Sequence, residues 1–357
     1  MKAWILRDIN DIRFEEMDNP CISSDEVLVK VRAAGICGSD IPRIYRDGAH
    51  NMPLIPGHEF SGEVVEVGGL IEKDWEGKRV GVFPLIPCKK CASCNNKQYE
   101  MCSSYSYLGS RRDGAFAEYV AVPEWNLIQL PEEVSFEQAA MLEPMSVAVH
   151  AMRRCIDSEL IEVIKKENRT VLVYGLGTIG LMLTMFLIDA GIENLLVVGN
   201  KPSQLEMIVR MGIPMENYCD SKQNDVKAWI SKMTDVHGVD IAFECIGRSD
   251  TVAEVIGLSA PSGSVMLIGN PYSDMTLDKN TYWKILRNQL NIFGTWNSSF
   301  THDNKDDWHY VLERLQTGRI TPQMFITHGY LLDELEQGLH LMRDKTGDYI
   351  KEMVICR

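Results

Sequence analysis

Four cysteines lie within fifteen residues, Cys88, Cys91, Cys94 and Cys102, in the pattern C-x2-C-x2-C-x7-C. Thiolates are soft ligands, and four of them so closely spaced in a loop suit a closed tetrahedral zinc ion. An iron–sulfur cluster is the alternative this spacing leaves open. A zinc finger that reads nucleic acid is disfavoured, because the loop holds only Lys89, Lys90 and Lys97 as basic residues and the chain carries a net charge of −14.

A second set of donors is scattered along the chain. Gly57-His58-Glu59-Phe60-Ser61-Gly62 puts an imidazole beside a carboxylate where a Pro-bracketed turn (Pro53, Pro56) runs into the strand pattern Glu63–Val67. Alone, that pair suits a packed structural histidine as well as a ligand. Cys37, in Gly35-Ile36-Cys37-Gly38-Ser39-Asp40, and Glu143, in Leu142-Glu143-Pro144, change the balance. One sulfur, one imidazole nitrogen and carboxylate oxygens from three segments make a zinc set with one position open to substrate or water.

The third chemistry-bearing stretch is Gly175-Leu176-Gly177-Thr178-Ile179-Gly180, which follows the apolar run Val171–Tyr174 and opens an apolar helix. In that strand–turn–helix setting G-x-G-x-x-G signals dinucleotide binding. Glycines let the backbone approach a pyrophosphate, and the helix N-terminus offers unpaired N–H groups and positive potential. The next strand ends Val198-Gly199-Asn200-Lys201, where an NAD site usually offers an acid to the ribose. Gly199 stands there instead, and Lys201 can neutralise a 2′-phosphate, so NADP is favoured over NAD. The alternative is an unphosphorylated ribose hydrogen-bonded by Asn200, with Lys201 solvated.

The elements that must position these groups follow from periodicity. Glu26–Arg32 and Arg79–Phe83 alternate with period two between Gly and Pro punctuation, so the first third reads as a β-rich, barrel-like domain. Helical patterns follow at Ser135–Ala140 and Ser146–Met152. Apolar runs then recur at Val171–Tyr174, Leu195–Val198, Val239–Phe243, Ser264–Ile268 and Leu290–Gly294, a βαβ succession that predicts a parallel sheet covered on both faces. The tail is helix-rich and ends in the apolar strand Met353–Cys356, which is expected to return to the first domain.

The chain of 357 residues has room for two domains, and no apolar run approaches the length of a membrane span. Without a signal-peptide pattern, a cytoplasmic location is expected, and the acidic balance argues against nucleic-acid or membrane partners. Four clustered cysteines among ten then read as metal ligands and not disulfides. Cys21, Cys155, Cys219, Cys245 and Cys356 fall in or beside apolar segments and read as buried thiols. His150 reads as a packed helix residue, Leu181–Phe186 as core behind the dinucleotide turn, and His302, His309 and His328 lack ligand-like partners nearby.

In order and at ordinary spacings, the two cysteine systems, the Gly57–Gly62 motif and the dinucleotide turn resemble the zinc-dependent medium-chain dehydrogenases over essentially the whole chain. The closest likeness is to the polyol dehydrogenases, including those acting on hexitol phosphates, carried by Cys37–Ile44, Asp47–His50, Gly57–Gly62 and Gly109–Gly114. The resemblance implies an α/β protein with a GroES-like β-rich catalytic domain and a doubly wound, parallel-sheet Rossmann coenzyme domain, with the active site in a cleft between them. The expected boundaries are 1–147 for the catalytic domain, including the structural-zinc loop 88–102, 148–296 for the coenzyme domain, and 297–357 for a segment that completes the catalytic domain.

By the same resemblance, two zinc ions are expected per chain. Cys37, His58 and Glu143 are the implied ligands of the catalytic one, with Glu59 a fourth ligand or exchanging with water and substrate. Cys88, Cys91, Cys94 and Cys102 hold the structural one. Ser39 accepts the substrate's proton. Pro42 stands where many members keep a histidine, so that proton must leave by another path. Coenzyme contacts are implied for Gly175, Gly177, Thr178, Ile179, Gly180, Gly199, Asn200, Lys201, Cys245, Ile246, Gly269, Thr295 and Lys351.

The implied reaction is oxidation of a polyol hydroxyl to a ketone with hydride transfer to NADP or NAD. The best-matched substrate is a hexitol phosphate such as galactitol 1-phosphate. Arg111 and Arg112, with Arg43, are the candidates for holding its phosphate, since planar guanidinium groups bind phosphate in bidentate fashion. Surface pairing of Arg111 and Arg112 with Asp47 or Asp113 is the bland alternative. An unphosphorylated polyol such as sorbitol is the second reading and an L-threonine-type amino alcohol the third. A catalytically silent coenzyme-binding sensor is opposed by the intact Cys37, Ser39, His58, Glu59 and Glu143. A homodimer or homotetramer is expected by family resemblance.

Overall fold

The computed structural model describes residues 1–356. It divides into two compact units, Met1–Ser146 with Ser298–Arg357, and Val147–Asn297.

The first unit is β-rich. Strands β1 (Lys2–Asp8) and β2 (Asp11–Glu16) pair antiparallel. They are followed by β3 (Glu26–Ile36), β4 (Glu59–Val67), β5 (Arg79–Val82), the short β6 (Leu85–Ile86) and β7 (Ser106–Tyr107), β8 (Tyr119–Pro123) and β9 (Leu127–Gln129). The sequence predicts alternation in β3, yet the strand is buried along nearly its whole length. It pairs along its edges with β4, β8 and a strand from the end of the chain, while core side chains and the helix Phe136–Ala140 cover its faces, and a strand covered on both faces takes a near-continuous apolar run. Trp4, Phe60, Val64 and Phe116 fill the core around it, each contributing on the order of 1.5–3 kcal/mol by burial.

The helix Phe136–Ala140 starts at Ser135, whose hydroxyl accepts from Gln138 N while the Gln138 side chain accepts from Ser135 N, a reciprocal cap. Cys21 departs from expectation. It is exposed, because the stretch between β2 and β3 pairs with no sheet and gives the thiol no apolar cover.

The second unit carries β10 (Val171–Tyr174), β11 (Leu195–Gly199), β12 (Tyr218–Asp220), β13 (Val239–Glu244), β14 (Ser259–Leu267) and β15 (Asn291–Gly294). All pair in parallel, in the order β12-β11-β10-β13-β14-β15. That order reverses direction between β10 and β13, the switch point at which a doubly wound sheet binds dinucleotides outside its strand ends. The helix Thr178–Asp189 is buried from Gly180 through Leu187, as its apolar run predicts. Strand β12 has no counterpart in the sequence reading; three residues are too few to show a period.

The chain then returns to the first unit. There β16 (Ile326–Tyr330) pairs with β17 (Lys351–Ile355), and β17 lies antiparallel to β3. No helix among the described residues is long and apolar enough to cross a membrane.

Candidate active site and metal centres

The four-cysteine segment folds on itself. Cys91 Sγ lies 3.5 Å from Cys94 Sγ and 3.9 Å from Cys102 Sγ, and Cys88 Sγ lies 4.0 Å from Cys94 Sγ. A disulfide needs about 2.05 Å, so these are separate thiols. A tetrahedron with Zn–S of about 2.3 Å has edges of about 3.8 Å, which matches the observed spacings. Backbone N–H groups of Cys94 and Ser103 bring the Cys91 thiol down to about 5, which favours the ligating thiolate. One ion fits among these sulfurs.

The second set is assembled by the sheet. In the β3–β4 ladder Gly35 faces Glu59, and in the β17–β3 ladder Glu352 faces Ile36. Cys37 leaves the end of β3, His58 and Glu59 enter β4, and Lys351 opens β17, so antiparallel register brings four sequence-distant residues to one corner. The ligand atoms of Cys37, His58 and Glu59 all lie within 4.8 Å of one another. Glu143 is not among those three. It sits buried in the first turn of the helix Leu142–Cys155 and accepts a hydrogen bond from Tyr107 Oη at 3.2 Å.

The electrostatics suit a cation. Burial opposes charging of His58, but Asp40 and Cys37 outweigh it and hold the imidazole well above its ordinary range. Burial pushes the Glu143 carboxyl up to about 7, with His58 and Lys351 pulling it down and Glu59 adding to the rise. Four acidic groups, Cys37, Asp40, Glu59 and Glu143, share this corner with three basic ones, His58, Arg43 and Lys351, an excess of one acidic group. Buried like charges are costly, and a divalent ion neutralises that excess. His58 Nδ1 is buried with Asp40 Oδ1 at 3.5 Å and no closer partner. The residues present therefore fit a metal ion.

Three participants escaped the sequence reading or were placed elsewhere by it. Asp40 is fully buried, accepts from Cys37 N at 3.0 Å and lies 3.5 Å from His58 Nδ1. Its position three residues past Cys37 is a signal that was there to be used. Tyr107 packs edge-on against His58 at 5.8 Å, and nothing in its sequence surroundings marks it. Lys351, expected at the coenzyme, is buried in the first unit, where Nζ donates to the Ile36 carbonyl at 2.9 Å and pairs with Glu59 Oε2. Ser39 is half-buried and its Oγ stands 3.3 Å from Cys37 Sγ.

Two of the candidate phosphate arginines prove to be engaged. Arg43 Nη1 binds Asp40 Oδ1 at 2.5 Å, and Arg112 is paired with Glu26 and not, as in the bland alternative, with Asp47 or Asp113. Asp47 instead takes Arg46, and Asp113 accepts from Ile55 N. Arg111 has no such partner and lies over the Tyr105 ring. Of the histidines set aside, His309 Nδ1 lies 2.8 Å from Asp306 and His328 Nδ1 2.9 Å from Glu352, carboxylate neighbours the sequence reading did not foresee.

In the second unit the dinucleotide turn has the shape its glycines require. Gly175 has φ of +100°, and a Cβ on Gly180 would lie 1.9 Å from the Gly175 carbonyl oxygen. Gly177 stands at the N-cap of the helix that begins at Thr178 and includes Ile179 and Gly180, and offers it no side-chain cap. Cys245 and Ile246 follow β13 across the switch point, and a side chain on Gly175 would strike Ile246. Gly269 follows β14 and donates to the Glu244 carbonyl at 3.0 Å. The Thr295 hydroxyl is buried without a partner among the described residues.

A side chain at position 199 would crowd the ribose-side corner. A Cβ on Gly199 would meet Gln204 Oε1 at 2.8 Å and Tyr218 at 3.1 Å. Gln204 Oε1 also accepts from Asn200 N and Lys201 N, which fixes the loop. Asp220, opposite Gly199 on β12, has its carboxylate occupied by Lys222 N and Gln223 Nε2.

Comparison with known proteins agrees with both halves. The alcohol dehydrogenase GroES-like domain matches residues 23–132, and the zinc-binding dehydrogenase domain matches residues 178–317. The chain is 31% identical over 304 residues, 85% of each chain, to galactitol 1-phosphate 5-dehydrogenase of Escherichia coli K12. The crystal structure of the galactitol-1-phosphate dehydrogenase from Escherichia coli superposes with a TM-score of 0.89 at 29% identity, covering 99% of this chain and 100% of that one. Sorbitol dehydrogenase of Bacillus subtilis is 28% identical over 360 residues, 99% of this chain and 97% of its own. A protein described as a zinc-binding dehydrogenase from Sinorhizobium meliloti 1021, solved with NADP, gives a TM-score of 0.86 at 25% identity over 99% of this chain and 98% of that one.

Proposed function

The chain belongs to the zinc-dependent medium-chain dehydrogenases and is an NAD(P)-linked alcohol dehydrogenase of the polyol type, and on that premise we propose that it oxidises a secondary alcohol of a polyol phosphate, galactitol 1-phosphate first among them. The observation that carries this is the convergence of Cys37, His58 and Glu59. The substrate's identity draws its support from the relative's name and from Arg111, a guanidinium with no carboxylate of its own.

Cys37, His58 and either Glu143 or Glu59 would hold the catalytic zinc, and the four clustered cysteines a second, structural one. A bound zinc supplies Lewis acidity toward the substrate hydroxyl, while the coenzyme accepts the hydride. The protein's own groups do the rest. In this reading Ser39, whose Oγ lies 3.3 Å from Cys37 Sγ, receives the hydroxyl proton. Asp40 backs His58, and Lys351 holds one oxygen of Glu59. Tyr107 fixes Glu143.

NADP is the coenzyme this reading favours. Packing of Gln204 and Tyr218 keeps position 199 free of an acid that would repel a 2′-phosphate. A homodimer is the expected assembly. Edge strand β15 and the exposed Tyr272, Tyr282, Trp283, Leu286 and Ile292 fall within one short segment of the second unit, a strand edge and apolar side chains that a second copy would cover. Light scattering at two protein concentrations measures it, and a monomer at both removes this expectation.

A free polyol is the second reading, because Arg43 and Arg112 are already paired. The deciding experiment is a coenzyme-reduction screen of free and phosphorylated hexitols with NAD and NADP, with zinc content measured on the same sample. Turnover of galactitol 1-phosphate with NADP, at about two zinc ions per chain, is the expected result. Reduction with none of the polyols removes the proposal.

A further inference from the structure

The arginines near the first unit's donor set differ in what they face. Arg43 binds Asp40, Arg46 binds Asp47 through two bonds, and Arg112 is paired with Glu26. Among the described residues no carboxylate lies at ion-pair distance from Arg111. Its guanidinium carbon sits 4.5 Å from the centre of the Tyr105 ring.

That stack is one end of an aromatic row. Tyr105 meets Tyr107 edge-on at 6.2 Å, and Tyr107 meets His58 edge-on at 5.8 Å while its hydroxyl donates to Glu143. The row begins at the donor set and ends at a cation. Local backbone fixes its length, since the N–H groups of Ser110, Arg111 and Arg112 all point at the Tyr107 carbonyl, at 3.3, 2.9 and 3.2 Å. Asn51 Nδ2 donates to the Arg111 carbonyl at 2.9 Å and ties the loop from outside.

A guanidinium lying flat on an aromatic face keeps its edge N–H groups free, in the planar fork that matches two oxygens of a phosphate. Arg112 is the less available of the two, because its Nη2 is already paired with the buried Glu26. We propose that Arg111, stacked on Tyr105, is the residue that selects phosphorylated over free polyols. It holds the terminal phosphate while the Tyr107 and Tyr105 edges line the carbon chain back to Cys37, His58 and Glu59. This rests on the reading of the protein as a polyol-phosphate dehydrogenase. It adds which of three arginines makes the choice, and why the tyrosines beside it matter.

The test compares kcat/KM for galactitol 1-phosphate with that for galactitol, using the zinc-loaded protein and its variants. Arg111→Gln should lower the ratio roughly 10- to 100-fold, the range for a hydrogen-bonded charge, and mainly through KM of the phosphorylated substrate. Arg111→Lys keeps the charge without the fork and should recover only part of the ratio, which also guards against a Gln variant that folds poorly. Tyr105→Leu removes the platform and should cost roughly three- to tenfold. Inorganic phosphate should inhibit the wild-type protein competitively and the Gln variant far more weakly. A wild-type preference for the phosphate ester that survives in Arg111→Gln, with phosphate inhibition unchanged, overturns the assignment of Arg111 alone. Equal kcat/KM for both substrates in the wild-type protein overturns the polyol-phosphate reading and this selection with it.

Discussion

The two donor sets of the first unit are built on opposite plans. The four-cysteine lobe takes identical ligands from one short loop, and its sulfurs are already spaced as the edges of one tetrahedron. The Cys37 set takes a thiol, an imidazole and a carboxylate from the ends of β3 and β4, with Lys351 from β17 and Glu143 from a helix set against them. One is local, uniform and closed. The other is assembled by sheet register, mixed in ligand type and crowded with compensating charge. A structural ion needs the first arrangement; a site that must exchange ligands during turnover needs the second.

The sharpest way to break this comparison is graded metal removal. Dialysis against a mild chelator should abolish coenzyme reduction with about one zinc lost per chain, while the melting temperature holds. Loss of both ions together would erase the distinction. Next in size, Cys37→Ser should lower kcat/KM by about a thousandfold or more, several kcal/mol of transition-state stabilisation, and leave one zinc bound. Retention of activity would remove Cys37 from the catalytic set.

Lys351→Met comes third. It strands the buried Glu59 carboxylate, and breaking such a pair costs on the order of 3–5 kcal/mol in denaturant unfolding. A change within 1 kcal/mol of zero would mean that the carboxylate finds another partner. The smallest effect is expected at Trp125. Its ring contacts Tyr99 at 4.9 Å and lies under Lys89 from the cysteine lobe, and it meets Phe300 and His302 of the returning segment at 5.5 and 5.2 Å. Trp125→Leu should cost about 1–2 kcal/mol and loosen the lobe without touching the Cys37 set. Equal loss of activity and stability would show that the two sets are coupled.

The same contrast decides what the sequence discloses. The C-x2-C-x2-C-x7-C lobe and the Gly175–Gly180 turn are local, so spacing alone reveals them. Apolar runs announce β10, β11 and β13 within a residue of their observed ends, because strands buried on both faces keep few polar interruptions. Strand β12 escapes because three residues on a sheet edge carry no period. Lys351 meets Glu59 only through the β17–β3 and β3–β4 ladders, and no pattern in either segment declares that register. Arg112 misleads for a related reason: it reads the same as Arg111 in sequence, and only its partner Glu26 sets it apart. Asp40 and Tyr107 support ligands without being ligands, so a search for donor spacing passes over them.

The placement of β17 has a consequence for how the protein comes into being. All strands of the coenzyme unit are contiguous in the chain, so that unit is complete once synthesis has passed Asn297. The first unit, begun earlier, lacks the β17–β3 ladder until Lys351–Ile355 emerge, and Glu59 beside Cys37 stays without its lysine partner until then. The corner proposed for the catalytic ion is thus completed only after the unit inserted into its chain has been made.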